Sequence, residues 1–174
     1  HIIELFNFLV KKPIDKVSAN FEKKPSSNPR GKKFKDFAGQ IFCSNSDNKT
    51  LTINTSNNQS HGKNIFLNFK NGFIFLDYLG KNFYSNFRKE EHLNKASHFY
   101  GLSHTIKKKK MIISSIKSGT KTNISNFLKN KKISDIDDSI NVIKILSAAY
   151  YSSLNKGISV KIKNFKKNFS FKWA

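Results

Sequence analysis

A histidine at position 1 is the side chain best suited to acid–base chemistry in this sequence. His1 leads the segment 2–12, whose apolar residues recur at helical spacing, so it stands at the start of a predicted helix. An imidazole exchanges protons near neutral pH, and the N–H groups at a helix start favour its neutral form. Two interpretations are open, because a lone histidine at such a position is commonly a solvated surface residue rather than a proton-transfer group.

A cluster of cations in the segment 23–35 is the second candidate site. Arg30, Lys32 and Lys33 lie there among proline, glycine, serine and asparagine residues, which predicts an exposed, mobile loop. Guanidinium and ammonium groups bind phosphate and carboxylate, so this loop could meet an anionic substrate. The plainer interpretation is a solvated basic loop.

The other residues that carry chemistry give weaker signals. The eight glycines contain no G-x-G-x-x-G spacing, so the chain has no dinucleotide-binding fingerprint. His92, His98 and His104 are spaced too irregularly for a metal pair on one helix face, which favours solvated histidines and no metal site. Cys43 is the only cysteine, so an internal disulfide is excluded, and its place in a predicted strand makes it a small buried residue.

The formal charge of +21 invites a nucleic-acid interpretation, because a basic surface releases counterions when it binds phosphate. Only Arg30 and Arg88 are arginine, however, and the lysines are scattered. Lysine is abundant together with asparagine, isoleucine and phenylalanine, all encoded by A/T-rich codons, so codon bias explains the composition. The run Lys107–Lys110 is typical of solvated charge. A basic β-sheet module that stacks aromatic side chains on single-stranded nucleic acid is kept as the alternative function.

The length of 174 residues, with 37% hydrophobic residues and 17 Phe, is sufficient for the core of one folded domain. No apolar run approaches the roughly 18 residues that a membrane helix needs. With a single cysteine, this predicts a cytoplasmic protein. The sequence begins with His1 and its one methionine, Met111, is internal, which indicates a piece of something longer.

Short strands form most of the predicted framework. Val17, Ala19 and Phe21 alternate with polar residues, which predicts a half-buried strand after the first helix. Between residues 36 and 88, further alternating segments are separated by turns, and Asn71-Gly72 marks a tight hairpin. Strands joined by such short turns are expected to pair antiparallel.

Helices follow these strands. One is expected over 109–117, and the clearest begins at Ser134 and ends at Gly157, before a last strand over 158–162. The long helix is predicted to bury one apolar stripe. This stripe consists of Ile136, Ile140, Ile143, Leu146, Ala149 and Tyr150.

This order of elements predicts an α+β fold, in which an open, largely antiparallel mixed sheet has helices packed on one face. The other face would expose apolar side chains, so a partner domain or subunit is expected to cover it. The side chains assigned to that face are Phe66, Ile74, Leu76, Tyr78 and Tyr84.

Three separated stretches resemble the C-terminal domain of the Gfo/Idh/MocA superfamily, the glucose-fructose oxidoreductases and inositol dehydrogenases. Residues 1–13 are similar to the family's His-leading helix and turn, and Asp36-Phe-Ala38 with the Asn71-Gly72 hairpin is similar to its Asp-x-Ala strand and hairpin. Residues 134–160 resemble its closing helix and last strand. Order and spacing agree over residues 1–163, which leaves 164–174 as a basic aromatic tail.

The resemblance implies an enzyme fragment: the substrate-binding and oligomerisation domain of an NAD(P)-dependent oxidoreductase. Hydride transfer at a CH–OH group of a sugar, sugar nucleotide or cyclitol is the implied reaction, with His1 as the catalytic proton-transfer residue. Arg30, Lys32 and Lys33 lie in the segment that the family places near the substrate. NAD or NADP would be bound mainly by an N-terminal Rossmann domain that this chain lacks, so the chain alone is expected to be inactive. The expected partners are that domain, a sugar-type substrate and a second subunit on the free sheet face, and neither a membrane nor nucleic acid.

Overall fold

The computed structural model divides into two compact units, His1–Asn58 with Asn126–Ala174, and Gln59–Ser125. Residues 1–24, 26–27, 35–56, 64–77, 82–93, 105–112, 124–126, 128–129 and 136–165 are described, with the backbone alone for 26–27, 35 and 105–112. None of the helices within these ranges is long and apolar enough to cross a membrane.

Most of the elements in the described part of the chain are strands. In order they are α1 (Ile2–Val10), β1 (Lys16–Phe21), β2 (Ser26–Ser27), β3 (Lys35–Asp36), β4 (Gly39–Ser44), β5 (Thr50–Thr55), β6 (Asn64–Phe69), β7 (Gly72–Asp77), β8 (Asn82–Arg88), β9 (Thr105–Ile112), α2 (Ile136–Leu154) and β10 (Val160–Lys161). Short 3-10 turns follow β8 at Glu90–His92 and β10 at Ile162–Asn164. The predicted α+β class is confirmed.

The first unit contains a four-stranded antiparallel sheet in the order β10-β1-β4-β5. Its core side is made by alternate residues of the strands, as the period of two predicts, with Val17 and Ala19 buried on β1 and Ile41 and Cys43 on β4. Val17 is the register partner of Cys43, and Ala19 of Ile41, so these four residues form one continuous patch. Helix α2 packs on this patch.

The buried face of α2 differs from the predicted apolar stripe. Ile136, Ile140 and Ile143 are exposed, whereas the core receives Ile145 and a set of small residues. These small residues are Ser147, Ala148, Ala149 and Ser152. Small side chains allow the helix axis to lie close to the sheet. Close packing, and not hydrophobicity alone, therefore determines which side of α2 is buried.

Two serines at the end of α2 complete the hydrogen bonding of β1. The neighbouring strand β10 pairs only with Lys16 and Val17, so the N–H groups farther along β1 need other acceptors. The N–H of Ala19 donates to Ser152 Oγ at 3.0 Å, and the N–H of Phe21 donates to Ser153 Oγ at 2.8 Å. Ser152 Oγ also donates to the carbonyl oxygen of Ile158 at 2.6 Å. Two side chains of helix α2 therefore accept the hydrogen bonds of the part of β1 that β10 does not pair with.

The second unit is another four-stranded antiparallel sheet, in the order β6-β7-β8-β9. The predicted hairpin joins β6 to β7, with Lys70 and Asn71 at the corner because Phe69 and Gly72 are register partners. Gly72 also lies against β8, where a Cβ atom would come 2.1 Å from the carbonyl oxygen of Asn86. That close approach explains why a glycine follows the corner.

Strand β9 corrects the expectation of a helix over 109–117. The lysine run is extended and pairs with β8, with Lys107 opposite Phe87 and Lys110 opposite Tyr84. Lysine favours helices when a segment is isolated, but pairing with a neighbouring strand overrides that preference. Residues 113–117 lie outside the described residues.

The register of the second sheet corrects the predicted exposed face. Phe66, Phe75 and Tyr84 are consecutive register partners across β6, β7 and β8, and their rings touch. Ile74 and Leu76 occupy alternate positions on β7 and so belong to the opposite face. The face that carries Ile74 and Leu76 also carries Phe69, Phe83 and Phe87, and Tyr78 lies outside the described residues.

The serine hydrogen bonds predict a graded loss of stability. Ser152→Ala leaves a buried N–H and a carbonyl without a partner, so we expect the free energy of unfolding to fall by about 1–3 kcal/mol. Ser153→Ala removes one bond at a half-buried site and should cost about 0.5–1.5 kcal/mol. Urea unfolding and exchange of the Ala19 amide measure the effect. Ser139→Ala, an exposed serine of the same helix, is the control, and equal stability of all three variants would contradict the assignment.

Candidate functional site

Helix α1 positions His1. Ile3 is buried in the core of the first unit, so one side of the helix is fixed against the rest of that unit. The last turn is closed by Lys11, whose left-handed backbone lets its N–H donate to the carbonyl of Asn7 at 2.8 Å. Lys12 then forms a 2.7 Å ion pair with Asp47 in the β4–β5 hairpin. His1 is thus carried on an element anchored at its far end.

His1 lies at the N-cap position of α1 and is exposed. Its carbonyl oxygen accepts the first helical hydrogen bond, from the N–H of Leu5 at 2.9 Å, while its side chain forms no capping bond. The imidazole is therefore not used in closing the helix end. A ring in this position can accept a proton from a group brought to the helix start.

The inward side of α1 differs from its predicted apolar face. The helical spacing predicts a face of Ile2, Leu5, Phe6 and Leu9. Phe6 does pack against the core, but Ile2 and Leu9 are 40% and 49% exposed, and Ile3 is buried. Asn7 also turns inward, and its Oδ1 is buried with no hydrogen-bond partner among the described residues. The apolar spacing does not predict the burial of Asn7, although a polar residue inside an otherwise apolar helix is a signal for it.

The base of the segment that contains the cationic cluster is well fixed. Strands β2 and β3 pair as a two-residue ladder, and the N–H of Glu22 donates to the carbonyl of Ala38 at 2.8 Å. Beside this base, the ring of Tyr150 on α2 contacts Phe37 at 5.6 Å and Phe21 at 6.5 Å between centroids. Arg30, Lys32 and Lys33 themselves lie outside the described residues, so their part in a site stays a prediction.

The described residues do not fit a dinucleotide cofactor. All their strand pairings are antiparallel. A dinucleotide binds at the carboxyl ends of parallel strands, beside a glycine-rich turn that leads into a helix. In the same ranges, no three His, Cys, Asp or Glu side chains are grouped so that they could hold a metal ion.

The remaining candidate residues have ordinary surroundings. His92 is mostly buried rather than solvated as predicted: its side chain is 13% exposed, and its Nε2 lies 3.2 Å from the carboxylate of Glu91. His98 and His104 lie outside the described residues. Cys43 is completely buried as predicted, and burial raises the pKa of its thiol to about 12. A thiol in this state is a packing residue, because the reactive thiolate is suppressed.

Comparison with known proteins gives a similarity in fold. No protein-family model and no curated protein sequence matches the chain. Among solved structures, an NAD-binding protein from Listeria innocua is similar, with a TM-score of 0.63 and 14% sequence identity. The match covers 98% of this chain and 48% of that one, so the chain spans about half the length of that structure. At this identity the likeness shows a shared fold, and membership of the Gfo/Idh/MocA superfamily stays a prediction.

The burial of Cys43 predicts a dependence of stability on pH. The folded thiol has a pKa of about 12 against an ordinary value of 9.0, so the folded state holds the proton more tightly. This contribution to stability is present below the ordinary pKa and is lost as the pH rises from there toward 12. Unfolding measured across this range should show the decline, and Cys43→Ala should remove that part of it. Rapid alkylation of native Cys43 would contradict the assignment.

Proposed function

We propose that this chain is the substrate-binding and oligomerisation domain of a cytoplasmic NAD(P)-dependent oxidoreductase. The substrate class is a sugar, sugar nucleotide or cyclitol, and the reaction is hydride transfer at a CH–OH group. The observation that carries the proposal is the fold similarity, in which nearly the whole chain matches about half of an NAD-binding protein. The nucleotide would be bound by a separate Rossmann domain, since the described residues of this chain do not fit it.

The proposed task of His1 is proton transfer. An alcohol that gives up a hydride must also lose its hydroxyl proton, and a neutral imidazole accepts that proton at the pH of the cell. The exposure of His1 and the absence of a capping bond leave its ring available. Helix α1 packs on the core through Ile3, which supports a defined backbone position for His1.

The proposed task of Arg30, Lys32 and Lys33 is to bind an anionic part of the substrate. A sugar nucleotide carries a diphosphate, which forms charge-assisted hydrogen bonds with guanidinium and ammonium groups. The paired strands β2 and β3 bring the two ends of this segment together. A free sugar or a cyclitol has no phosphate and would gain no affinity from these cations. Comparing the affinity for a sugar nucleotide with that for a free sugar or a cyclitol therefore tests their role.

The second sheet supports the proposed self-association. One face of this sheet, here called the aliphatic face, carries Ile65, Leu67, Phe69, Ile74, Leu76, Phe83 and Phe87. Among the described side chains of this unit, none is fully buried. A half-exposed apolar face of this kind is covered in most soluble proteins, and a second copy of the chain is the proposed cover.

Substitution of His1 tests the catalytic proposal. In the intact enzyme with its Rossmann domain, we expect His1→Ala to lower kcat by about 10²–10⁴-fold, because no side chain then accepts the hydroxyl proton. The assay uses NAD⁺ and NADP⁺ with a panel of sugars, sugar nucleotides and cyclitols, over a range of pH. The decrease of kcat at low pH, which reports protonation of the catalytic base, should disappear in this variant.

The control for this experiment is Ile2→Ala, which removes an exposed neighbour on the same helix and should leave kcat unchanged. An unchanged rate for His1→Ala on the panel's best substrate would refute the proton-transfer role. Absence of activity from the wild-type enzyme on the whole panel would count against the proposed substrate class instead.

Substitution on the aliphatic face tests the proposed self-association. Leu67→Lys places a charge on that face, so we expect the dimer Kd to rise about tenfold or more. Asn68→Lys, one residue farther along β6 and on the opposite face, is the matched control. Sedimentation velocity reports the assembly state and circular dichroism reports folding. A monomeric wild-type protein at all accessible concentrations would rule the interface out.

A further inference from the structure

The second sheet carries a row of aromatic rings on the face opposite its aliphatic residues. Phe66, Phe75 and Tyr84 are direct register partners on three adjacent strands, with ring centroids 6.3 Å and 6.1 Å apart. Phe73 stacks on Phe66 at 5.0 Å with an interplanar angle of 27°. We call these four residues the aromatic row. Phe66 is 52% exposed and Tyr84 38%, so rings at both ends of the row are open to a ligand.

The surroundings of the aromatic row are polar. On the same face, the residues two positions before and after Phe66 on β6, and two positions before and after Tyr84 on β8, are all asparagines. They are Asn64, Asn68, Asn82 and Asn86. The Oδ1 atom of Asn86 is buried and has no hydrogen-bond partner among the described residues. A face that alternates rings with amides offers stacking surfaces and hydrogen-bonding groups together. That composition suits an unpaired nucleobase better than the aliphatic side of another protein.

Positive charge lies along the edge of the same sheet. Strand β9 pairs with β8 and contains Lys107–Lys110, with Lys110 opposite Tyr84 and Lys108 opposite Asn86. Four lysines that are consecutive in the sequence therefore lie beside the ring-bearing strand. A polyanion would be complementary to this edge, because binding phosphate releases counterions.

We propose that the aromatic row is a stacking platform for single-stranded nucleic acid, with its phosphates neutralised by the lysine-rich strand β9. Adjacent strands are about 4.8 Å apart, so the row from Phe66 to Tyr84 spans about 10 Å, which accommodates two or three bases. Duplex bases are already stacked on one another and would not use these rings. This activity is independent of sugar oxidation and needs neither a cofactor nor His1.

Fluorescence anisotropy of the 174-residue chain with a labelled oligothymidylate tests the proposal. We expect Phe66→Leu and Tyr84→Leu each to weaken binding by about tenfold, because each removes a stacking ring. Phe66→Tyr should retain binding. Phe69→Leu is the matched control, since Phe69 is equally exposed, at 53%, but pairs with Gly72 in register on the aliphatic side.

Two further measurements separate stacking from charge. An abasic oligomer of the same length should bind more weakly than oligothymidylate. The joint substitution of Lys108→Ala and Lys110→Ala should lower the slope of log K against log salt by about 0.7 for each phosphate that the protein no longer neutralises.

Two outcomes would overturn the proposal. If the abasic oligomer binds equally well and the leucine variants bind normally, the lysines only protect an exposed sheet edge from pairing. If Phe66→Leu and Tyr84→Leu change the sedimentation coefficient of the chain and leave oligonucleotide binding intact, the aromatic row is a protein interface.

Discussion

The shortness of β10 is the constraint on which the first unit depends. Because β10 pairs with only two residues of β1, the rest of that strand edge needs hydrogen-bond acceptors from elsewhere. Ser152 and Ser153 supply them from the last turn of α2, at 3.0 Å and 2.8 Å. These bonds require the helix to approach the sheet closely, which in turn requires alanine and serine on its inner face. The position of α2 therefore follows from a backbone hydrogen-bond requirement as much as from apolar burial.

The two units differ in how completely their described side chains are buried. The first has a closed core from Ile3 on α1 through Val17 to Ile145 on α2. The second has paired strands whose described side chains are all at least partly exposed. Its aliphatic and aromatic faces differ in chemistry, so one kind of partner does not suit both.

The sequence was sufficient for most strands and for the existence of the hairpin between β6 and β7, because alternation and turn residues are local signals. It placed the corner at Asn71-Gly72, one residue later than the observed Lys70 and Asn71. It failed where a tertiary contact decided the outcome. The lysine run became a strand only because β8 is beside it, and Ala148 rather than Ile140 entered the core because size mattered more than hydrophobicity. Assigning Phe66 and Ile74 to one face was an error of register, which a single residue of slip produces. For the candidate site, the sequence predicted that His1 stands at the start of a helix. The burial of Asn7 could not be predicted without knowing how α1 packs.

The fold also limits which parts of the proposed oxidation this chain could perform and which parts another domain would have to perform. Every described strand pair is antiparallel, and antiparallel sheets lack the crevice at the carboxyl ends of parallel strands that binds a dinucleotide. In the proposed reaction, this chain would hold the carbon that loses hydride and accept the proton from its hydroxyl. The proton acceptor must then lie at the border of the unit, within reach of a cofactor held by another domain. An exposed helix start, anchored at its far end by the pair of Lys12 and Asp47, meets this requirement, and a residue in the buried core does not.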